Sequence, residues 1–141
     1  MTLADVNVLV QAFRTDSRDH EVCRAWLEAT VDNGARYGVS PQVLAGVVRV
    51  TTHTRVFAEP SPLTEAIAFC EALLARPQCV VVQPGPNHWG LFARLCVDAD
   101  ARGNLAPDAW YAALANEWGC EWITLDRDFA RFGGLSWRTP G

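Results

Sequence analysis

Apolar residues return along this chain in two rhythms. Short runs of β-forming residues alternate with longer stretches whose apolar positions recur every three or four residues. Thr2 to Asp5 reads as a short strand. Val6 onward stays apolar, but Asn7 breaks any alternation, so the chain turns into a helix through Phe13. Val22, Trp26, Leu27 and Ala29/Thr30 keep helical spacing to about Val31, with Asp16 or Ser17 as the cap and Asn33-Gly34 as the stop. Arg36 to Val39 is a second short strand. Gln42 to Thr52 is ambiguous by propensity because of its valines. However, Val43, Leu44, Val47 and Val48 share one helix face, and Ser40-Pro41 is a good helix opening, so a helix is predicted.

Thr54 to Pro62 is a loop whose Ser61 suits a cap for an amphipathic helix over Leu63 to Ala75, with Ile67, Phe69/Cys70, Leu73 and Leu74 inward. Cys79 to Val82 is a continuous valine-rich run, the pattern of a buried parallel strand. After a turn at Pro84 to Asn87, His88 to Ala101 reads as a helix with Trp89, Phe92, Leu95 and Cys96 inward. Gly103-Asn104 ends it. An alanine-rich helix then opens through Pro107 and Asp108 and runs to Trp118, with Gly119 as its stop. Trp122 to Leu125 is the last clear strand, Asp126 to Phe132 a short helix, Gly133-Gly134 a turn, and Leu135 to Trp137 an edge strand. Strands separated by helices predict an α/β fold with a mainly parallel central sheet flanked by helices. No repeat, linker or low-complexity stretch interrupts it, so residues 1–141 are predicted to form a single domain.

Composition narrows the class. The 141 residues are 50% apolar, which leaves room for a real core, and no apolar run approaches the length of a membrane span. Asp5 stands near Met1 with no basic leader, so no secretory signal and a cytoplasmic location are expected. Five cysteines (Cys23, Cys70, Cys79, Cys96, Cys120) lie singly in mostly apolar stretches, which argues for small core residues and against a disulfide framework or zinc site. The three histidines are equally scattered. A net charge of −4 does not advertise a nucleic-acid binder. All twelve cations are arginine, a residue suited to bidentate phosphate contacts. The chain-wide absence of lysine points more to the base composition of a GC-rich genome.

The candidate chemistry lies in aspartates. In a doubly wound sheet, ligands gather beyond the carboxyl ends of the strands. Asp5 follows the first strand, Asp126 and Asp128 follow the last clear one, and Asp108 opens the helix that leads into it. Carboxylates brought together without cationic partners repel one another, and a hard divalent cation such as Mg²⁺ or Mn²⁺ neutralises such a cluster. Each acid also has an ordinary reading. Asp5 suits a strand-end turn, Asp108 and Asp126 suit helix starts, and Asp128 suits a surface charge or a partner for Arg131.

Three segments carry a family resemblance: Leu3-Ala4-Asp5-Val6-Asn7-Val8-Leu9, Asn104-Leu105-Ala106-Pro107-Asp108-Ala109, and Thr124-Leu125-Asp126-Arg127-Asp128-Phe129 with Ala130-Arg131-Phe132 after it. In this order and at these separations they resemble the signatures of PIN-domain ribonucleases, most closely the VapC toxins of toxin–antitoxin pairs. The resemblance spans the chain. It implies a PIN-like fold, endonucleolytic cleavage of RNA dependent on Mg²⁺ or Mn²⁺, neutralisation by a VapB-type antitoxin, and a homodimer. By the same resemblance Asp5 and Asp108 match the principal metal-binding acids. Asp126 matches the acid after the last core strand, with Asp128 as the alternative, and Asn7 and Thr124 match polar positions that support the acids. Arg49, Arg55, Arg127 and Arg131 are candidates to steer or clamp the RNA backbone, each with a solvated surface charge as its ordinary reading.

One position departs from the family pattern. The helix after the second strand usually carries a glutamate, and no acid lies between Arg36 and Ala58 here; Gly46 is the best match for the position, with Gln42 nearby. Two competing readings follow. The first is a weakened or inactive PIN domain that binds RNA or an antitoxin without cutting. The second is another metal enzyme, because Asp126-Arg127-Asp128 resembles the short D-x-D motifs of phosphatases and glycosyltransferases. Partner binding has its own support in six tryptophans and in the surplus of apolar residues over Gln42–Thr52 and Leu63–Ala75.

Overall fold

The computed structural model describes all 141 residues. Its β-forming runs make five short strands: β1 (Thr2–Ala4), β2 (Tyr37–Val39), β3 (Cys79–Val81), β4 (Glu121–Ile123) and β5 (Trp137–Arg138). They form one sheet in the order β3-β2-β1-β4-β5. Every pairing is parallel. Six helices cover it: α1 (Val6–Phe13), α2 (His20–Asp32), α3 (Pro41–Thr51), α4 (Leu63–Leu74), α5 (His88–Ala99) and α6 (Leu105–Trp118). A 3₁₀ turn, Arg127–Arg131, separates β4 from β5.

Local chemistry accounts for the boundaries. Ser40 accepts the backbone N–H of Val43 and Pro41 occupies the first helical position, so α3 starts where the polar-to-apolar switch predicts, and its valines pack as a helix face. Gly119 ends α6 in the left-handed conformation (φ 66°), which costs glycine little. The core is continuous between sheet and helices. Leu3, Val8, Val47, Leu114, Trp122 and Ile123 are fully buried in it, and Ala109, Ala112, Ala113 and Ala115 let α6 lie close against the sheet.

Several expectations shift. The second helix begins at His20 and not beside Asp16 or Ser17, because Arg14 draws the Asp16 carboxylate into a bidentate pair and Ser17 donates to the Gln11 and Arg14 carbonyls. Ser61 does not cap α4; its hydroxyl accepts a hydrogen bond from Arg14, and Pro62 stands at the cap position. On α4 the buried face is Ala66, Cys70 and Leu73, which turns Ile67 and Leu74 outward. The valine run of β3 lies at the sheet edge, with Val81 exposed, because nothing pairs on its outer side. Trp89 is 73% exposed and not inward; its neighbour His88 takes the buried place. The strand after Gly134 begins at Trp137. The cysteines are all free, three of them buried. No helix is long and apolar enough to cross a membrane.

Candidate functional site

The first strand ends at Ala4, and Asp5 turns the chain into α1. Its Oδ1 accepts the Val6 backbone N–H at 2.7 Å, so the acid is the N-cap of that helix. Its Oδ2 accepts from the Thr124 hydroxyl at 2.7 Å and from Asn7 Nδ2 at 3.2 Å. Thr124 lies just beyond β4, fully buried, and its Oγ1 accepts the Asp126 backbone N–H at 3.0 Å. Asn7 Oδ1 accepts the Leu125 N–H at 3.1 Å. Thr124 and Asn7 thus lace the end of β1 to the end of β4. They fix the orientation of Asp5 and the path of the chain into Asp126.

Asp126 caps the 3₁₀ turn through the Asp128 N–H at 2.9 Å. The ordinary capping roles of Asp5 and Asp126 are therefore present. They leave lone pairs free on each carboxylate, since an ionised carboxylate has about four acceptor sites.

Asp108 reaches the same place from the other direction. It stands in the first turn of α6. Glu117, near the end of α6, accepts the backbone N–H groups of Gly85 and Asn87 at 2.7 and 2.9 Å, which pins the start of α5 beside the end of α6. The two helices therefore run antiparallel, and α6 begins at the carboxyl edge of the sheet. Asp5, Asp108 and Asp126 line one open cavity of about 520 Å³. Its remaining lining includes Asn7, the apolar Val50, Val56 and Phe57, and one cation, Arg18.

The electrostatics follow from this crowding. Burial pushes the Asp108 carboxyl up to about 6, and the charges of Asp126, Asp5 and Asp128 add to the rise. Burial likewise raises Asp5; the Thr124 and Val6 donors oppose the rise, and Asp126 adds to it. None of the five ion pairs involves these acids. Tyr111, one turn beyond Asp108, is raised by burial and by the Asp5 charge, with Arg49 opposing, so both side chains stand within the field of the site.

These residues fit a hard divalent cation in donor type and in uncompensated charge. They do not make a closed cage, since no three His, Cys, Asp or Glu side chains are gathered tightly enough to enclose one ion. That suits Mg²⁺, which keeps several waters and commonly takes one or two carboxylates together with substrate phosphate oxygens. At Gly46, the best match for the missing acid, a Cβ would fall 2.8 Å from Val6 Cγ2, so a side chain there requires the Val6 side chain to shift.

The other candidates divide. Asp128 is exposed and outside the cavity lining, though its charge acts on Asp108. Arg49, Arg55, Arg127 and Arg131 are exposed, and none lines the cavity. Arg18, Gln11 and Phe57 do line it and were not singled out by sequence, because each sits in a stretch read only as turn, helix or loop.

Comparison with known proteins places the chain in a family. A family model described as PIN domain matches residues 2–135. Ribonuclease VapC43 of Mycobacterium tuberculosis is 44% identical over 140 residues, 99% of this chain and 95% of that protein. Among solved structures, VapC20 of Mycobacterium tuberculosis, described as a Sarcin-Ricin loop cleaving toxin, superposes with a TM-score of 0.70 at 15% identity, over 96% of this chain and 98% of that one. VapBC2 from Rickettsia felis, bound to a DNA fragment from their promoter, gives a TM-score of 0.70 at 15% identity, over 98% of this chain and 97% of the other.

Proposed function

From a chain that belongs to the PIN-domain family, among the VapC ribonucleases, we propose an endoribonuclease that hydrolyses RNA phosphodiester bonds and serves as the toxin of a toxin–antitoxin pair. The observation that carries the site assignment is the convergence of Asp5, Asp108 and Asp126 on one cavity with no cation paired to them. In this reading Asp5, Asp108 and Asp126 face the place of Mg²⁺ or Mn²⁺, one or two of them binding the ion directly and the others through its waters, with Asp128 contributing charge from outside the cavity. The ion, when bound, supplies Lewis acidity toward the phosphoryl group and offsets the charge that develops on its oxygens. Thr124 and Asn7 position Asp5. Arg49, Arg55, Arg127 and Arg131 serve the approach of the polyanion from outside the cavity.

The test is RNA cleavage by purified, antitoxin-free protein with Mg²⁺, with Mn²⁺ and with EDTA, and by Asp5→Ala and Asp108→Ala. Chelation and either substitution are expected to abolish turnover. Cleavage that survives both removes the assignment.

The glycine at position 46, where the family pattern has an acid, supports a second reading, an RNA- or antitoxin-binding module with little turnover. Stoichiometric, salt-sensitive RNA binding without product separates it from the first.

For the antitoxin, the open groove between α1, α2 and α4 is the fitting seat. Phe13, Leu27, Phe69 and Leu73 line it, with Arg24 and Arg76 among them. An antitoxin arginine reaching from there to the acids would compete with the metal for the same negative charge. A complex that leaves the acidic cavity open and fully active sinks that part of the proposal. A homodimer completes the reading, consistent with the apolar side chains that α5 leaves exposed.

A further inference from the structure

The cavity that holds the acids has a second half that metal chemistry does not use. Phe57, in the loop after α3, borders it together with Val50 and Val56. Arg14 backs the Phe57 ring, with its guanidinium carbon 4.0 Å from the ring centroid. That arginine is fully committed. Its Nε and Nη2 donate to Asp16 at 2.9 and 2.6 Å, and its Nη1 donates to the Glu59 carbonyl at 2.8 Å and the Ser61 hydroxyl at 3.0 Å. It is therefore a fixed support that holds the ring in place, not a free ligand for substrate.

Arg18 is the opposite case. It is exposed and in no ion pair, and it is the one cation lining the cavity. Its loop is nonetheless tied down at Gln11. The Gln11 carbonyl accepts the Ser17 hydroxyl at 3.1 Å and lies 2.9 Å from His20 Nδ1, while its side-chain Oε1 accepts the Asp19 N–H at 2.8 Å.

We infer that Phe57 and Arg18 form a nucleotide subsite beside the acids, Phe57 taking an unpaired RNA base on its ring and Arg18 the adjoining phosphate. The inference rests on the ribonuclease reading and names how the substrate is held. A phosphodiester brought to three carboxylates meets repulsion, and Arg18 is placed to offset it. Sequence-tolerant recognition of single-stranded RNA works through bases splayed onto aromatic rings, and a ring already backed by a cation offers a rigid stacking face. A duplex keeps its bases paired and offers nothing to such a ring.

The test is fluorescence anisotropy of fluorescein-labelled oligouridylate, and of the same strand annealed to oligoadenylate, with the whole protein in EDTA. The single strand is expected to bind more tightly than the duplex. Phe57→Ala and Phe57→Leu should each weaken it roughly five- to a hundred-fold, the usual worth of one stacked base, while Phe57→Trp stays within about twofold. Because Phe57→Leu stays apolar and keeps much of the bulk while losing the ring, and circular dichroism melts of each variant check the fold, it separates stacking from folding. Arg18→Gln should lower the slope of log affinity against log salt by about 0.7, and Arg18→Lys should restore it.

The subsite is overturned if Phe57→Leu binds like the parent, if the Arg18→Gln slope is unchanged, if the duplex is preferred, or if the parent binds no RNA. Cleavage measured in parallel with Mg²⁺ keeps the two claims apart. A parent that stacks oligouridylate without cutting it retains the subsite and loses the nuclease reading. A parent that cuts while Phe57 and Arg18 prove silent does the reverse.

Discussion

At pH 7 Asp108 is an anion in a place that disfavours charge. Its carboxyl titrates at about 6 in the folded protein against an ordinary 3.8, so the folded state holds this proton more tightly than the unfolded chain. Its contribution to stability is full below about pH 4 and is lost as pH rises through 6. Asp108→Asn is therefore expected to raise the thermal midpoint at pH 7 and to leave it unchanged near pH 4, read by circular dichroism melts. The same measurement tests metal binding. Mg²⁺ or Mn²⁺ should raise the parent's midpoint at pH 7 by mass action, and the gain should vanish in Asp108→Asn and with EDTA. Gly46 offers a complementary test. Gly46→Glu places a Cβ 2.8 Å from Val6 Cγ2 and should cost about 1–3 kcal/mol in urea unfolding. Val6→Ala added to it should recover most of that loss and, by supplying an acid, tighten Mn²⁺ binding in titration calorimetry.

Single residues work here through the elements they join, and Arg14 joins two loops that wall the acidic cavity. It ends α1, pairs with Asp16 on one side, and holds Glu59, Ser61 and Phe57 on the other. Arg14→Met should speed amide hydrogen exchange in residues 15–19 and 54–62 while leaving α3 and α6 protected, since the loss is confined to loop contacts. Unchanged exchange in both loops removes Arg14 as their common tie. This node also shows where sequence reading stops. Helix boundaries governed by neighbouring residues, such as the start at Ser40-Pro41 before α3 and the stop at Gly119 after α6, were legible. The start of α2 and the cap of α4 were not, because Arg14 takes Asp16 two residues on and Ser61 from a distant loop for its own hydrogen bonds. Periodicity found each helix but left its rotation open. Ile67 and Trp89 kept the spacing of an inward face and still point outward.

The molecule as a whole leaves Trp89 at 73% and Val97 at 79% exposure on α5, an apolar face consistent with the proposed homodimer. Light scattering after size exclusion is expected to give twice the chain mass. Trp89→Asp with Val97→Asp should give the single-chain mass with an unchanged far-ultraviolet spectrum, and a parent already at single-chain mass discards the dimer. The alternation of short β-forming runs with helical stretches was enough to determine an α/β chain with a parallel sheet, because side-chain period and branching are local properties. Order and spacing of the aspartate segments were enough for the family. Only the tertiary structure decided that Asp108 meets Asp5. Two helices lie between β3 and β4, and the sense in which they cross depends on Glu117 holding the turn before α5, a contact of 30 residues' separation or more. Only the folded chain, likewise, brings Arg18 and Phe57 to the lining of the acids' cavity, since neither residue's neighbours in sequence carry any record of it.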